Sequence, residues 1–130
     1  MVLKNIKLVI FDLDGTLVDS QYDLTDSVNF VRKEYGLSPL PVDKVASYLG
    51  SGITALVKAV LAELKNENFD IAVKMFKDNY VKHLTDKTLP YKDVIEMLSN
   101  IPQPKVLLSN KDEKFSKQIL NKLGLSKYFT

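Results

Sequence analysis

The sequence predicts an α/β protein: a parallel sheet interrupted by an all-helical insert. Two observations carry this. Lys7–Phe11 (KLVIF) and Lys105–Leu108 (KVLL) are short, continuous apolar runs of the kind that form strands buried on both faces. Between and after them the apolar period lengthens to three and four residues, so strands alternate with helices, as parallel sheets require.

In chain order, the first strand stops at Asp12-Leu13-Asp14-Gly15-Thr16. Leu24, Val28, Val31 and Tyr35 then mark an amphipathic helix over about Tyr22–Tyr35, which Gly36 can end. Ser38–Pro41 is a proline-punctuated turn, followed by a helix over Val42–Leu49 and a break at Gly50-Ser51-Gly52. Leu56, Val57, Val60, Leu61 and Leu64 predict a helix over Thr54–Leu64, and Val73, Phe76, Tyr80 and Leu84 another over Phe69–Leu84. No strand candidate interrupts this block, and its apolar stripes read as core. A short helix over Asp93–Leu98, the second strand, and a helix over Phe115–Leu123 closed by Gly124 complete the chain. The expected organisation is a core segment at 1–19, a helical insert at 20–87, and the core resumed at 88–130.

Composition narrows the chemistry. With 45% hydrophobic and 26% charged residues, the 130-residue chain has the balance of a soluble globular protein. A formal charge of +2 with scattered lysines gives no basic stripe for nucleic acid. The absence of cysteine excludes disulfides, cysteine nucleophiles and thiolate metal sites. The apolar stretch Ile6–Phe11 is too short for a signal core, and no stretch has the apolar length to span a bilayer. The expectation is a soluble cytoplasmic protein without nucleic-acid or membrane partners. The sequence leaves the oligomeric state open.

Ligands of open α/β sheets bind beyond the carboxyl ends of the strands, and both strands end there in polar residues. Residues two apart in extended chain point the same way, so Asp12 and Asp14 can converge on one small volume. Two carboxylates that close repel unless a cation or proton lies between them, and magnesium, which takes a few carboxylate oxygens with water and phosphate, meets that need. Ser109 and Asn110 offer a hydroxyl and main-chain N–H groups near a helix start, a cradle for phosphate oxygens. Gly15 permits a tight turn and Thr16 adds a hydroxyl. Together these parts describe phosphoryl transfer: one aspartate attacks phosphorus while the other handles the proton.

Plainer readings exist for each part. Asp-x-Asp-Gly also makes turns, Ser109-Asn110 also caps helices, and Gly50-Ser51-Gly52 reads first as a hinge and second as a substrate loop. His83 reads as an exposed residue. A calcium loop fails because Leu17 stands where that loop needs glycine.

The stretch Val9–Ser20 (VIFDLDGTLVDS) resembles the first motif of the haloacid dehalogenase (HAD) superfamily, and Leu107–Lys111 (LLSNK) resembles its second. Gly15-Thr16 with Asp19-Ser20, the Leu49–Gly52 loop and the Ser-Asn-Lys form place the resemblance nearest the phosphoglycolate phosphatase branch. The resemblance implies a Rossmann-like core, incomplete here, carrying a helical cap. It implies Asp12 as nucleophile and metal ligand, and Asp14 as acid/base that also binds metal through its main-chain carbonyl. Leu13, Gly15, Thr16, Ser109, Asn110 and Lys111 would surround the phosphoryl group, Mg2+ would be the cofactor, and a small phosphorylated metabolite the substrate. Dehalogenases of the superfamily lack the second aspartate, which favours phosphate chemistry. The family's third motif, a lysine, and its fourth, an acidic metal-binding segment, have no counterpart in this sequence. The expectation is therefore a piece of a longer domain. The implied activity is hydrolysis of a 2-phosphoglycolate-like monoester. The alternatives are another capped HAD phosphohydrolase, a pyrophosphatase or sugar-phosphate phosphatase, or an inactive fragment with a binding role.

Overall fold

The structure is a computed structural model that describes residues 4–65 and 68–130. Residues 1–3 of the expected first core segment and 66–67 of the helical insert lie outside the described residues. The elements run β1 (Val9–Phe11), β2 (Val18–Asp19), α1 (Gln21–Glu34), α2 (Val42–Ala46), α3 (Ile53–Val60), α4 (Phe69–Tyr80), β3 (Leu89–Pro90), α5 (Val94–Asn100), β4 (Lys105–Leu107) and α6 (Glu113–Lys122), then a 3-10 turn at Ser126–Tyr128.

β1 and β4 pair in parallel, with Val9 opposite Lys105, Ile10 opposite Val106 and Phe11 opposite Leu107. Parallel pairing puts the carboxyl ends of both strands, and the polar residues that follow them, at one edge of the sheet. The strands are shorter than the apolar runs predict, and they are not buried on both faces. Ile10 is 57% exposed and Leu108 70% exposed. A two-stranded sheet among the described residues offers too little surface to cover both sides.

A second ribbon was not legible in the sequence. β2 and β3 pair antiparallel, Val18 with Pro90 and Asp19 with Leu89, on either side of the helical insert. Two-residue strands are too short for period-2 alternation to register, and Pro90 reads as a loop residue. Its missing N–H is tolerated because the ribbon has only this one partner strand.

The helices form where the periods place them, with shorter ends. α1 buries Leu24, Val28 and Val31 and terminates at Gly36, whose φ of 72° suits glycine. α2 stops at Ala46 rather than Leu49, α3 at Val60 rather than Leu64, and α4 at Tyr80 rather than Leu84. The residues beyond each end continue as turns that keep Leu61 and Leu84 buried. Apolar periodicity therefore persists past the helix ends. α5 and α6 begin at Val94 and Glu113, close to the expected starts, and Asp112 caps α6 by accepting from the Lys114 N–H at 2.9 Å.

Helices α1 to α4 pack on one another, α1 touching each of the other three. Polar ties lie inside this packing. The Ser27 hydroxyl donates to Asn79 Oδ1 at 2.8 Å, joining α1 to α4. Arg32, almost fully buried, donates to the carbonyls of Ser38 and Val60 at 2.7 and 2.6 Å and pairs bidentately with Glu63. Bidentate pairing holds the Glu63 carboxyl below its ordinary range.

At the other end of the block, buried Asp23 accepts from the Lys87 N–H, the Thr88 N–H and the Thr88 hydroxyl, the last at 2.7 Å. This carboxylate ties the start of α1 to the segment that returns to β3.

Candidate active site

The loop after β1 is built around one carbonyl. Leu13 O accepts from the N–H groups of Thr16, Leu17 and Val18, folding the chain back within five residues. Gly15, at φ 76°, makes the reversal without strain. Leu13 and Leu17 are buried and anchor the turn from below. At this edge of the sheet Asp12, just before Leu13, and Asp14, just after it, line one cleft. Asp12 is exposed, and its Oδ1 accepts from the Leu13 N–H at 2.8 Å. Asp14 is half-buried and doubly held: the Ser20 hydroxyl donates to Oδ1 at 2.5 Å and Lys111 Nζ stands 3.2 Å from Oδ2.

The loop after β4 forms the facing wall. Ser109, Asn110 and Lys111 line the same cleft as the two aspartates. Ser109 Oγ accepts from the Lys111 N–H at 3.1 Å, a local turn that fixes the loop. Lys111 is the least expected member. Its side chain is 3% exposed, and Nζ donates to the Tyr80 hydroxyl at 2.7 Å while lying 4.5 Å from that ring's centre. Burial pushes the Lys111 ammonium below its ordinary range, an effect the Asp14 carboxylate partly offsets. Burial also drives the Tyr80 phenol well above its ordinary range, with Asp14 and Asp23 adding to the rise, so the hydroxyl keeps its proton.

The third wall comes from the helical block. Leu49, Gly50, Gly52, Ile53 and Leu56 close the cleft, together with Leu24 of α1. Gly50 O accepts from Asn110 Nδ2 at 2.7 Å. Gly52 has φ 91°, and a Cβ there would sit 3.4 Å from the Asn110 carbonyl. The glycine loop is thus a wall of the cleft. The enclosed free space is about 50 Å³, room for a few waters or one small anion.

Five of the residues singled out from the sequence, Asp12, Asp14, Ser109, Asn110 and Lys111, share this cleft. Three do not. The Leu13 side chain is in the core, Gly15 lines a neighbouring pocket with Tyr91, and Thr16 is exposed away from the cleft lining. His83 is partly exposed and pairs with Asp86 at 2.7 Å. Among the described residues no three His, Cys, Asp or Glu side chains gather as a metal-binding group. Among these residues no helix is long and apolar enough to cross a membrane.

Tyr80 and Ser20 contribute contacts that their sequence setting did not announce. Tyr80 falls on the apolar stripe of α4 and reads as core, which it is. A fully buried phenol nevertheless needs a hydrogen-bond partner, and that requirement is the one signal that sets it apart from Phe76.

An α/β sheet whose two adjacent strand ends present an Asp-x-Asp pair opposite a Ser-Asn-Lys loop, under a helical wall, defines a hydrolase of the haloacid dehalogenase type. The chain belongs to that family: the haloacid dehalogenase-like hydrolase family model matches residues 9–130. It is 36% identical to a phosphoglycolate phosphatase of Chromobacterium violaceum over 100% of this chain and 62% of that protein. It is also 36% identical to one of Aquifex aeolicus over 95% of this chain and 58% of that protein. Among solved structures, a predicted phosphoglycolate phosphatase from Haemophilus somnus superposes with a TM-score of 0.83 at 26% identity, covering 99% of this chain and 62% of that one. The lineage is that of HAD phosphatases, and the chain spans 62% or less of these relatives' length.

Proposed function

We propose that this chain carries the nucleophile-bearing part of a magnesium-dependent phosphatase. It acts on a small phosphomonoester of the 2-phosphoglycolate kind through an aspartyl-phosphate. The observation that carries the reading is the shared cleft: Asp12 and Asp14 from one strand end face Ser109, Asn110 and Lys111 from the other. Relatives of this chain are phosphoglycolate phosphatases, which supports the substrate class.

The proposed chemistry assigns a role to each position. Asp12, the more exposed carboxylate, attacks phosphorus, and the ester P–O bond breaks. Asp14 in its protonated form gives the leaving oxygen a proton. Asp14, then ionised, takes a proton from water, whose oxygen attacks phosphorus. The Asp12–phosphorus bond breaks, releasing phosphate and restoring the Asp12 carboxylate and the protonated Asp14. Ser109 Oγ and the main-chain N–H groups of its loop hold the phosphoryl oxygens. Leu13 contributes only through its main chain. Gly15 and Thr16 shape the turn that presents Asp12 and Asp14.

The donor set fits a magnesium ion, which binds through one or two carboxylates while keeping its waters and taking phosphate oxygens. Asp12 is the carboxylate open to it, since the side chain of Asp14 is engaged by Ser20 and Lys111. When bound, the ion supplies charge neutralisation of the phosphoryl oxygens. Helices α1 to α4 act as the cap, limiting the cleft to a compact substrate and excluding water. A second reading, phosphate binding without turnover, is favoured by one observation. Two acidic side chains meet in the cleft, and no third joins them among the described residues.

The test is hydrolysis of 2-phosphoglycolate and p-nitrophenyl phosphate with and without magnesium, beside Asp12→Asn. Magnesium-dependent release of phosphate that disappears in Asp12→Asn is the expected result. Phosphate-analogue binding without any turnover would favour the second reading.

A further inference from the structure

Among the described residues, the loop that follows β4 makes two side-chain hydrogen bonds to the helical block, beside a longer ion pair of Asp112 with Lys77 of α4 at 3.8 Å. Asn110 Nδ2 donates to Gly50 O at 2.7 Å, and Lys111 Nζ donates to the Tyr80 hydroxyl at 2.7 Å. The second contact continues into the cleft, because the same Nζ stands 3.2 Å from Asp14 Oδ2. A chain of three side chains therefore runs from α4 to the acidic pair: phenol, ammonium, carboxylate.

Each link has one dominant reason to hold. Tyr80 is fully buried with its ring edge-on to Phe115 at 5.6 Å and tilted against Phe76 at 5.6 Å, so the hydroxyl is aimed by packing. Lys111 has a long stem with many rotamers, and its ammonium is withdrawn from water. A cation so placed needs partners, and among the described residues it has Tyr80 and Asp14. Asp14 is in turn gripped from the opposite side by Ser20.

We propose that Tyr80 is a positioning residue. Its hydroxyl holds Lys111 Nζ against Asp14 Oδ2, so that this second hold on Asp14, beside that of Ser20, depends on α4 being in place. Tyr80 does not touch the phosphoryl group. It acts through Lys111, and it makes the geometry of the acid/base carboxylate depend on the position of the helical block. The role of Asp14 as acid/base rests on the phosphatase reading; the linkage from α4 to Lys111 does not.

The experiment is competitive labelling of lysines in the folded chain with an acylating reagent, read by peptide mass spectrometry, for wild type, Tyr80→Phe and Leu98→Ala. Leu98 is a buried residue of α5 outside the cleft, and its truncation controls for lost stability. Tyr80→Phe keeps the ring and removes only the hydroxyl. Lys111 is expected to be protected in wild type and in Leu98→Ala. In Tyr80→Phe it should label about tenfold faster, the size of one hydrogen bond to a charged group. Where hydrolysis is measurable, kcat should fall by a similar factor with KM little changed, and Phe→Tyr reversion should restore both. Equal protection of Lys111 in wild type and Tyr80→Phe would overturn the proposal, as would equal unmasking in Leu98→Ala. Unmasking in Tyr80→Phe alone, in a chain without Asp12-dependent hydrolysis, would uphold the linkage and remove the phosphatase reading.

Discussion

Ser20 shows how much of the site depends on single atoms. Its hydroxyl donates to Asp14 Oδ1 at 2.5 Å and it is buried, so it has no freedom to serve another group. Ser20→Ala should leave the fold intact and slow 2-phosphoglycolate hydrolysis by roughly tenfold, since a hydrogen bond to a charged group contributes about 1.5–3 kcal/mol. Thermal melting alongside the rate would separate this from unfolding, and an unchanged rate would remove Ser20 from the account. At this scale the sequence was informative where chemistry is local. Asp12, Asp14, Ser109, Asn110 and Lys111 could be named because two strand ends must meet in a parallel sheet. Tyr80 could not, because contact between a helical stripe and a loop more than thirty residues later is decided by packing. Leu13 differs again. It belongs to the motif, but its side chain is part of the floor that holds the motif up.

Among the elements, the connection between the helical block and the sheet is the most consequential. Two strands of two residues, β2 and β3, carry the chain in and out of the block, and Asp23 staples the two passages together through Lys87 and Thr88. Asp23→Ala would strand two main-chain N–H groups, one of them in a buried residue. The expected loss is about 3 kcal/mol, seen as a lower urea midpoint. Asp23→Asn, which keeps an acceptor oxygen, should lose less; equal losses would mean the staple is only a matter of volume. The helices themselves were legible from apolar spacing, but their ends were not. Leu61 and Leu84 remain buried beyond the last helical residue, so burial alone overestimates each helix. The β2–β3 ribbon was missed for a related reason: two residues carry no period.

Across the whole molecule, Arg32 joins α1, the turn at Ser38 and the end of α3 by carbonyl contacts and the bidentate Glu63 pair. Because Glu63 has a lower pKa folded than unfolded, the folded state binds its proton less readily. Its contribution to stability is therefore complete above the ordinary carboxylate range and is lost as pH falls through the lowered value. Urea midpoints measured from neutral to acid pH should fall more steeply in wild type than in Glu63→Gln across that window. Parallel curves would remove the pair from the pH dependence. The open face of the sheet, with Leu8, Ile10 and Leu108 exposed, belongs to the same scale. The apolar runs correctly announced strands, but how many neighbours would cover them lay beyond what local sequence encodes.

The central claim is that Asp12 is the atom-donating nucleophile of a phosphoryl-transfer cleft. The chain should be mixed with 2-phosphoglycolate and magnesium, quenched during turnover, and reduced with borohydride, which converts an aspartyl-phosphate to homoserine. Peptide mapping should find homoserine at position 12, and none in Asp12→Asn. Phosphate release with Asp12 unmodified, or with the label at another carboxylate, would contradict the account.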